Sequence, residues 1–311
     1  MKTKSSIFSS LPSEDFTVSN EDIRKLENRP VIVVLDDDPT GTQTVHDVLL
    51  LTKWKDEQLQ KALEEPIFYL LTNSRSLDEQ VAYELVFTVC KRLLHLAEIV
   101  GKELLFVSRS DSTLRGHFKA ELTALKKAIE LPQALSIFVP AFFEGGRFTV
   151  GNVHYVEEGE HLIPAAETPF AKDATFGFSS SELYAYIMEK DETIQEHEIF
   201  DLSITEIRTL SVEDLVSKVV SHSSKKALIV NAASYADLKK CSLLLHRLYT
   251  EGYPFVIRSA ASLLPALAGI DPIPLIDCQQ DGKHSHGGLI VVGSYVPKSS
   301  EQLHYLLASN P

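Results

Sequence analysis

Three consecutive carboxylates, Asp36, Asp37 and Asp38, follow an apolar run at 31–35 and precede Pro39-Thr40-Gly41-Thr42. Packing does not explain adjacent aspartates, because unpaired buried charge is expensive. Acids presented at a strand tip can instead serve as a general base or gather a divalent metal. Three more polar clusters repeat the pattern: TNSRS at 72–76 follows the apolar run 67–71, SRSDSTLRGH at 108–117 follows 104–107, and PAFFEGGRFTVGN at 140–152 follows 134–139. Arg75, Arg109, Arg115 and Arg147 can each grip a carboxylate through two parallel hydrogen bonds, and Asn73, Ser112, Thr113 and Asn152 can read hydroxyls. That mixture suits a polyhydroxylated anion such as a sugar acid. Asp111 and Glu144 add acids; His117 and His154 read as structural histidines. Gly41 lacks the glycine-rich spacing and following lysine of a phosphate-binding loop.

Positioning these loops together requires parallel strands, whose C-terminal tips share one edge of an open α/β sheet. Apolar strand-like runs alternate with helical periodicity along most of the chain. The clearest helix is 77–100, with Val81, Leu85, Val89, Leu93 and Leu96 roughly on one face before Gly101. Further helices are predicted at 56–65, 118–129, 181–190, 212–222 and 235–249, and strands at 48–51, 199–202, 227–230 and 254–257. Segments 153–156 and 161–163 read as a hairpin or flap. The fold class is α/β, a mostly parallel sheet flanked by helices. Residues 1–29 form a polar N-terminal extension, 30–270 the main domain, and 271–288 a linker rich in Pro, Gly and His, with His284 and His286 as a solvated pair. At 289–292 a buried strand is predicted, then Gly293-Ser294 and a helix at 300–308. Too small to bury a core alone, 289–311 reads as the start of a second α/β domain.

The 311 residues are 44% hydrophobic and 23% charged, enough for a sizeable core, and the net charge of −13 disfavours nucleic acid or an anionic membrane as partner. No apolar stretch approaches the roughly 20 residues of a membrane span. Three scattered cysteines, Cys90, Cys241 and Cys278, fit a reducing cytoplasm better than a disulfide framework. A homo-oligomer is left open.

The ordered blocks DDDPTGT (36–42), TNSRSL (72–77), SDSTLRGH (110–117) and PAFFEGGRFTVGNVHYV (140–156) resemble the signature blocks of the four-carbon acid sugar kinase family. The resemblance covers roughly 30–270, that family's substrate-binding domain, while LIVVGSYVPKSSEQL (289–303) is similar to the opening of its nucleotide-binding domain. It implies ATP- and Mg²⁺-dependent phosphorylation of a hydroxyl on an erythronate, threonate or oxo-tetronate. It also implies Asp37 and Asp38 as catalytic acids, one of them accepting the hydroxyl proton. Asp36, Thr40, Gly41, Ser74, Arg75, Asp111, Ser112, Thr113, Arg115, Gly146 and Arg147 would bind substrate, and Gly293 and Ser294 would meet ATP. Pro39, Thr42 and Arg109 depart from the family's usual Leu, Ala and Lys, and Asp36 is an additional acid.

Two other readings of the same residues stand beside it. Asp36-x-Asp38-x-Thr40 matches the D-x-D-x-T hallmark of haloacid-dehalogenase phosphatases, with Asp36 as nucleophile and Asp38 as acid/base. A non-catalytic sugar-acid-binding module is the third.

Overall fold

The computed structural model describes residues 2–274, 289–293 and 297–309. Its strands are β1 (Lys2–Thr3), β2 (Val31–Asp36), β3 (Leu49–Leu51), β4 (Ile67–Leu71), β5 (Leu104–Arg109), β6 (Leu135–Val139), β7 (Arg147–Val150), β8 (Val153–Glu158), β9 (His161–Pro164), β10 (Ile199–Leu202), β11 (Ala227–Val230) and β12 (Phe255–Ser259). Eight of them form one sheet in the order β10-β11-β6-β12-β5-β2-β4-β3, and every neighbouring pair is parallel. Helices cover both faces, which is why the central strands are apolar without alternation.

Period-two geometry sends successive side chains to opposite faces. Val31, Val33, Leu35, Phe106 and Val256 join the core beneath the Glu79–Val100 and Phe118–Ala128 helices. Ile32, Val34, Leu105, Val107 and Ile257 join the core beneath the Tyr235–Thr250 and Leu263–Ala268 helices. Local chemistry fixes the helix ends. Ser203, Ser211 and Ser234 each cap a helix reciprocally with an acid three residues on, and Gly101 closes the long helix at φ 68°.

The chain leaves β4 on one side of β2 and returns as β5 on the other, so a crevice opens at the tips of β2 and β5. A second, antiparallel sheet, β1-β9-β8-β7, follows β6. It contains the expected hairpin but begins earlier, with Arg147 itself on β7.

Two compact units divide the chain, Met1–Pro272 and Ile273–Pro311. The N-terminal extension belongs to the first. Lys2 and Thr3 pair with β9, Ile7 packs with Phe148 and Leu162, and Arg208 binds the Pro12 carbonyl at 2.6 Å and Glu14 at 2.9 Å. In the second unit the helix spans Pro297–Ser309, but 289–292 makes no strand among the described residues. Leu289 is 89% and Val291 81% exposed. Cys278, His284, His286 and Ser294 lie outside the described residues. Among those described, no helix is long and apolar enough to cross a membrane.

Candidate functional site

The tips of β2, β4, β5 and β12 converge. Beyond β2 the backbone is clamped: Thr72 N donates to the Asp36 carbonyl at 2.9 Å, Asp37 N to the Arg109 carbonyl at 3.2 Å and Arg75 N to the Asp37 carbonyl at 3.3 Å. Strand alternation then sorts the charges. Asp36 and Arg109 fall on one face, 3.1 Å apart and both nearly fully buried. Ser108 and Arg258 fall on the other, where Arg258 pairs with Glu121 of the Phe118–Ala128 helix. Glu121 also accepts from Ser74 and Ser108, both at 2.6 Å.

Each aspartate of the triplet meets a different environment. Burial pushes the Asp36 carboxyl up to about 7, against the opposing charge of Arg109. Its side chain packs on Gly41, where a Cβ would overlap the carboxylate. Asp37 is also buried, and burial raises its proton affinity despite nearby Arg75. One of its oxygens accepts from Ser110 at 2.8 Å. The other, Oδ1, is buried without a hydrogen-bond partner, with Arg75 and Arg109 nitrogens each 3.8 Å away. Asp38 is ion-paired with Arg75 and accepts from Thr40 N at 2.6 Å.

The 110–117 loop is held on three sides. Leu114, at φ 69°, is an unusual conformation for a bulky residue. It is kept there because its carbonyl accepts from the Tyr186 hydroxyl at 2.7 Å. His154 Nε2 donates to the Ser112 carbonyl at 2.8 Å, and burial drives this imidazole down to about 4, so it stays neutral. Gly116 has no room for a Cβ, which would lie 2.7 Å from Ser110 Oγ and 3.0 Å from Asp37 Oδ2. Within the loop, Asp111 binds Thr113, Arg115 Nε at 2.7 Å and Arg75 Nη1 at 3.4 Å. Burial opposes its ionisation, but Arg115, Thr113 and Arg75 outweigh that and hold Asp111 below the usual carboxylate range.

Arg147 enters from β7, and its guanidinium and that of Arg115 both face Phe170. Gly146, at φ 75°, serves the turn that delivers Arg147. Other expected lining residues go elsewhere: Asn152 binds Asn231 at 2.7 Å, Glu144 binds Tyr235 and Ser262, and His117 binds the Leu77 carbonyl at 2.8 Å. Glu121, Arg258 and Phe170 were not anticipated, and Ser108 and Ser110, inside the expected 108–117 loop, were given no role. A helical wheel offers a signal for Glu121, which falls on the apolar face with Phe118, Leu122 and Leu125.

The D-x-D-x-T phosphatase reading does not fit this geometry. Asp36 is enclosed by Arg109 and Gly41 rather than presented as a nucleophile, and β12 ends in Arg258 and Ser259 instead of a second acidic pair. Among the described residues no three His, Cys, Asp or Glu converge as metal ligands, and guanidinium groups neutralise the aspartates. A groove of about 800 Å³ lies at the opposite edge of the sheet, beside Arg29, Lys102, Glu103 and Tyr249; the acids and strained loop place the chemistry at the C-terminal tips.

A parallel α/β domain with arginines and acids gathered at its switch point has the architecture of a ligand-binding domain. The family model for sugar-binding N-terminal domains matches residues 32–267, and the chain belongs to the four-carbon acid sugar kinase family. It is 27% identical over 281 residues to a protein of Heliobacterium modesticaldum named D-erythronate kinase. The match covers 88% of this chain, which spans 59% of that relative's length. The fold is similar to that of a domain of unknown function from Bordetella bronchiseptica, solved with bound citrate as a domain-swapped dimer. There the TM-score is 0.59 at 21% identity, over 77% of this chain and 56% of that one. It is similar also to a Haemophilus influenzae protein, with a TM-score of 0.53 at 14% identity, over 76% of this chain and 55% of that one.

Proposed function

We propose that this chain is the sugar-acid-binding part of an ATP-dependent kinase that phosphorylates a hydroxyl of a four-carbon sugar acid such as erythronate, threonate or oxo-tetronate. The observation that carries this reading is Asp37: a buried acid of raised proton affinity, fixed by Ser110 on one oxygen and unpartnered on the other. That is the equipment of a general base, and it stands among guanidinium groups that suit an anionic substrate.

In this mechanism Asp37 accepts the proton of the attacking hydroxyl. Asp38, oriented by Thr40 and Arg75, holds a neighbouring hydroxyl, and Gly41 lets the chain turn tightly against Asp36. Arg75, Arg115 and Arg147 take the carboxylate and remaining hydroxyls, with Ser112 and Thr113 on the loop between them. ATP would supply the phosphoryl group, with Mg²⁺ arriving on its phosphates and Gly293 and Ser294 among its contacts. Phosphoryl transfer needs mainly positioning and charge neutralisation, which is what this arginine-rich site provides. The D-erythronate kinase relative supports the substrate class, and a cytoplasmic location follows from an ATP-dependent reaction.

The test is ADP release with ATP, Mg²⁺ and a panel of D-erythronate, D- and L-threonate and oxo-tetronates, alongside calorimetric binding of each acid. Turnover or binding with one tetronate and not with the matching tetritol supports the reading. If no acid is bound or phosphorylated, the proposal fails.

A further inference from the structure

Arg115 and Arg147 place their guanidinium carbons 5.1 and 5.9 Å from the centre of the same Phe170 ring. The two are not equivalent. Arg115 is neutralised by Asp111 at 2.7 Å and Asp173 at 3.5 Å. Arg147 makes no ion pair among the described residues; one nitrogen donates to the Gly145 carbonyl, and its buried Nε has no partner. Burial lowers the guanidinium pKa, and Arg115 adds to the effect against the opposing charge of Asp111. Two like charges on one ring, one of them unpaired and half-buried, are unfavourable until an anion arrives. Asp111, whose charge acts on Arg147, is already committed to Arg75, Arg115 and Thr113.

Phe170 is itself firmly held. Its turn, Pro169–Lys172, is closed by Ala171 N on the Thr168 carbonyl at 3.3 Å and by Phe178 N on the Ala171 carbonyl at 3.1 Å. Resting on the kinase reading above, we propose that Phe170 is a positioning residue for substrate choice. Its ring sets the plane of Arg147 and shields it from water, so that Arg147, rather than the acid-paired arginines, takes the substrate carboxylate. A neutral polyol would leave Arg147 unpaired, which makes this corner the place where acid is distinguished from alcohol.

Phenylglyoxal labelling of arginines, mapped by peptide mass spectrometry, tests this in the intact chain, with D-erythronate as substrate probe and succinate as a carboxylate independent of the kinase reading. Both acids should slow labelling of Arg147 more than that of Arg115. Phe170→Leu should weaken D-erythronate binding about tenfold and accelerate Arg147 labelling, with the melting temperature kept. Phe170→Tyr should restore both. Protection by succinate but by no tetronate would discard the kinase reading and leave the carboxylate clamp standing. Failure of both acids to protect Arg147 in the wild-type chain, or binding in Phe170→Leu within twofold of wild type, would overturn this inference alone.

Discussion

Replacing Arg258 with Met tests whether the Glu121–Arg258 pair clasps the site. Both side chains are 3% exposed, so the variant strands a carboxylate where water cannot reach it. Breaking a buried pair from one side costs about 3–5 kcal/mol. Glu121 keeps two short hydrogen bonds, from Ser74 and Ser108 at 2.6 Å each, which places the expected loss near the lower end, about 3 kcal/mol. In a domain of this size that corresponds to a melting-temperature drop of roughly 5 °C. The effect should reach the chemistry as well. Arg258 donates to Ser110 Oγ at 2.6 Å, which leaves the serine's own proton for Asp37 at 2.8 Å. Urea unfolding of Arg258→Met, Glu121→Leu and the double variant isolates the pair by a double-mutant cycle. The double variant should recover about 2 kcal/mol relative to the sum of the singles, because no charge is left unpaired. A loss below about 1 kcal/mol for Arg258→Met, or strictly additive singles, refutes the clasp.

Asp37→Asn should lower kcat by about 10²–10⁴-fold with tetronate affinity largely kept, measured by steady-state kinetics and calorimetry. Asp36 makes stability fall with rising pH: its folded pKa of about 7 exceeds the unfolded value, so its contribution is full below about 4 and is lost as pH rises through about 7. Between pH 5 and 8 the contribution of this group should decline by at most about 3 kcal/mol, a component that Asp36→Asn removes in denaturation at the two pH values. His154 acts oppositely: its folded value of about 4 keeps its contribution intact above about 6.5 and removes it as pH falls through about 4. His154→Gln should therefore reduce acid sensitivity in the same assay. Gly41→Ala should destabilise by about 1–3 kcal/mol, seen as a lowered urea midpoint, since the new methyl meets the Asp36 carboxylate.

The sequence carried the sheet and most of the loops because parallel strands buried on both faces read as plain apolar runs, and polar clusters at their ends are conspicuous. What it hid was the pairing. Asp36, Arg109, Glu121 and Arg258 lie 73 or 137 residues from their partners, a separation no local pattern encodes. Arg258 sat in the run Phe255–Ser259 like any strand residue, and the inserted order β6-β12-β5 that brings it beside Ser108 is a topological fact. Phe170 was invisible for another reason: it belongs to no block, and only folding of the antiparallel sheet beside β6 brings its ring to two arginines. The exposed 289–292 segment is the reverse case, where apolar composition predicts burial but the described residues supply no ladder.

Those pairings make the site's charge balance informative. Asp36, Asp37, Asp38, Asp111 and Asp173 face Arg75, Arg109, Arg115 and Arg147, so with every acid ionised the site carries one net negative charge. Burial keeps it from reaching that state. Asp36 is pushed up to about 7, and Asp37 has its proton affinity raised as well. With both of these acids protonated one guanidinium is in excess, and Arg147 is the one without an acid among the described residues. On a chain of net charge −13, this pocket would then be a local positive focus, suited to the small acid proposed as its substrate. The same balance explains why the extra acid, Asp36, is compatible with binding an anion: buried against Arg109, it contributes less negative charge than its side chain alone suggests.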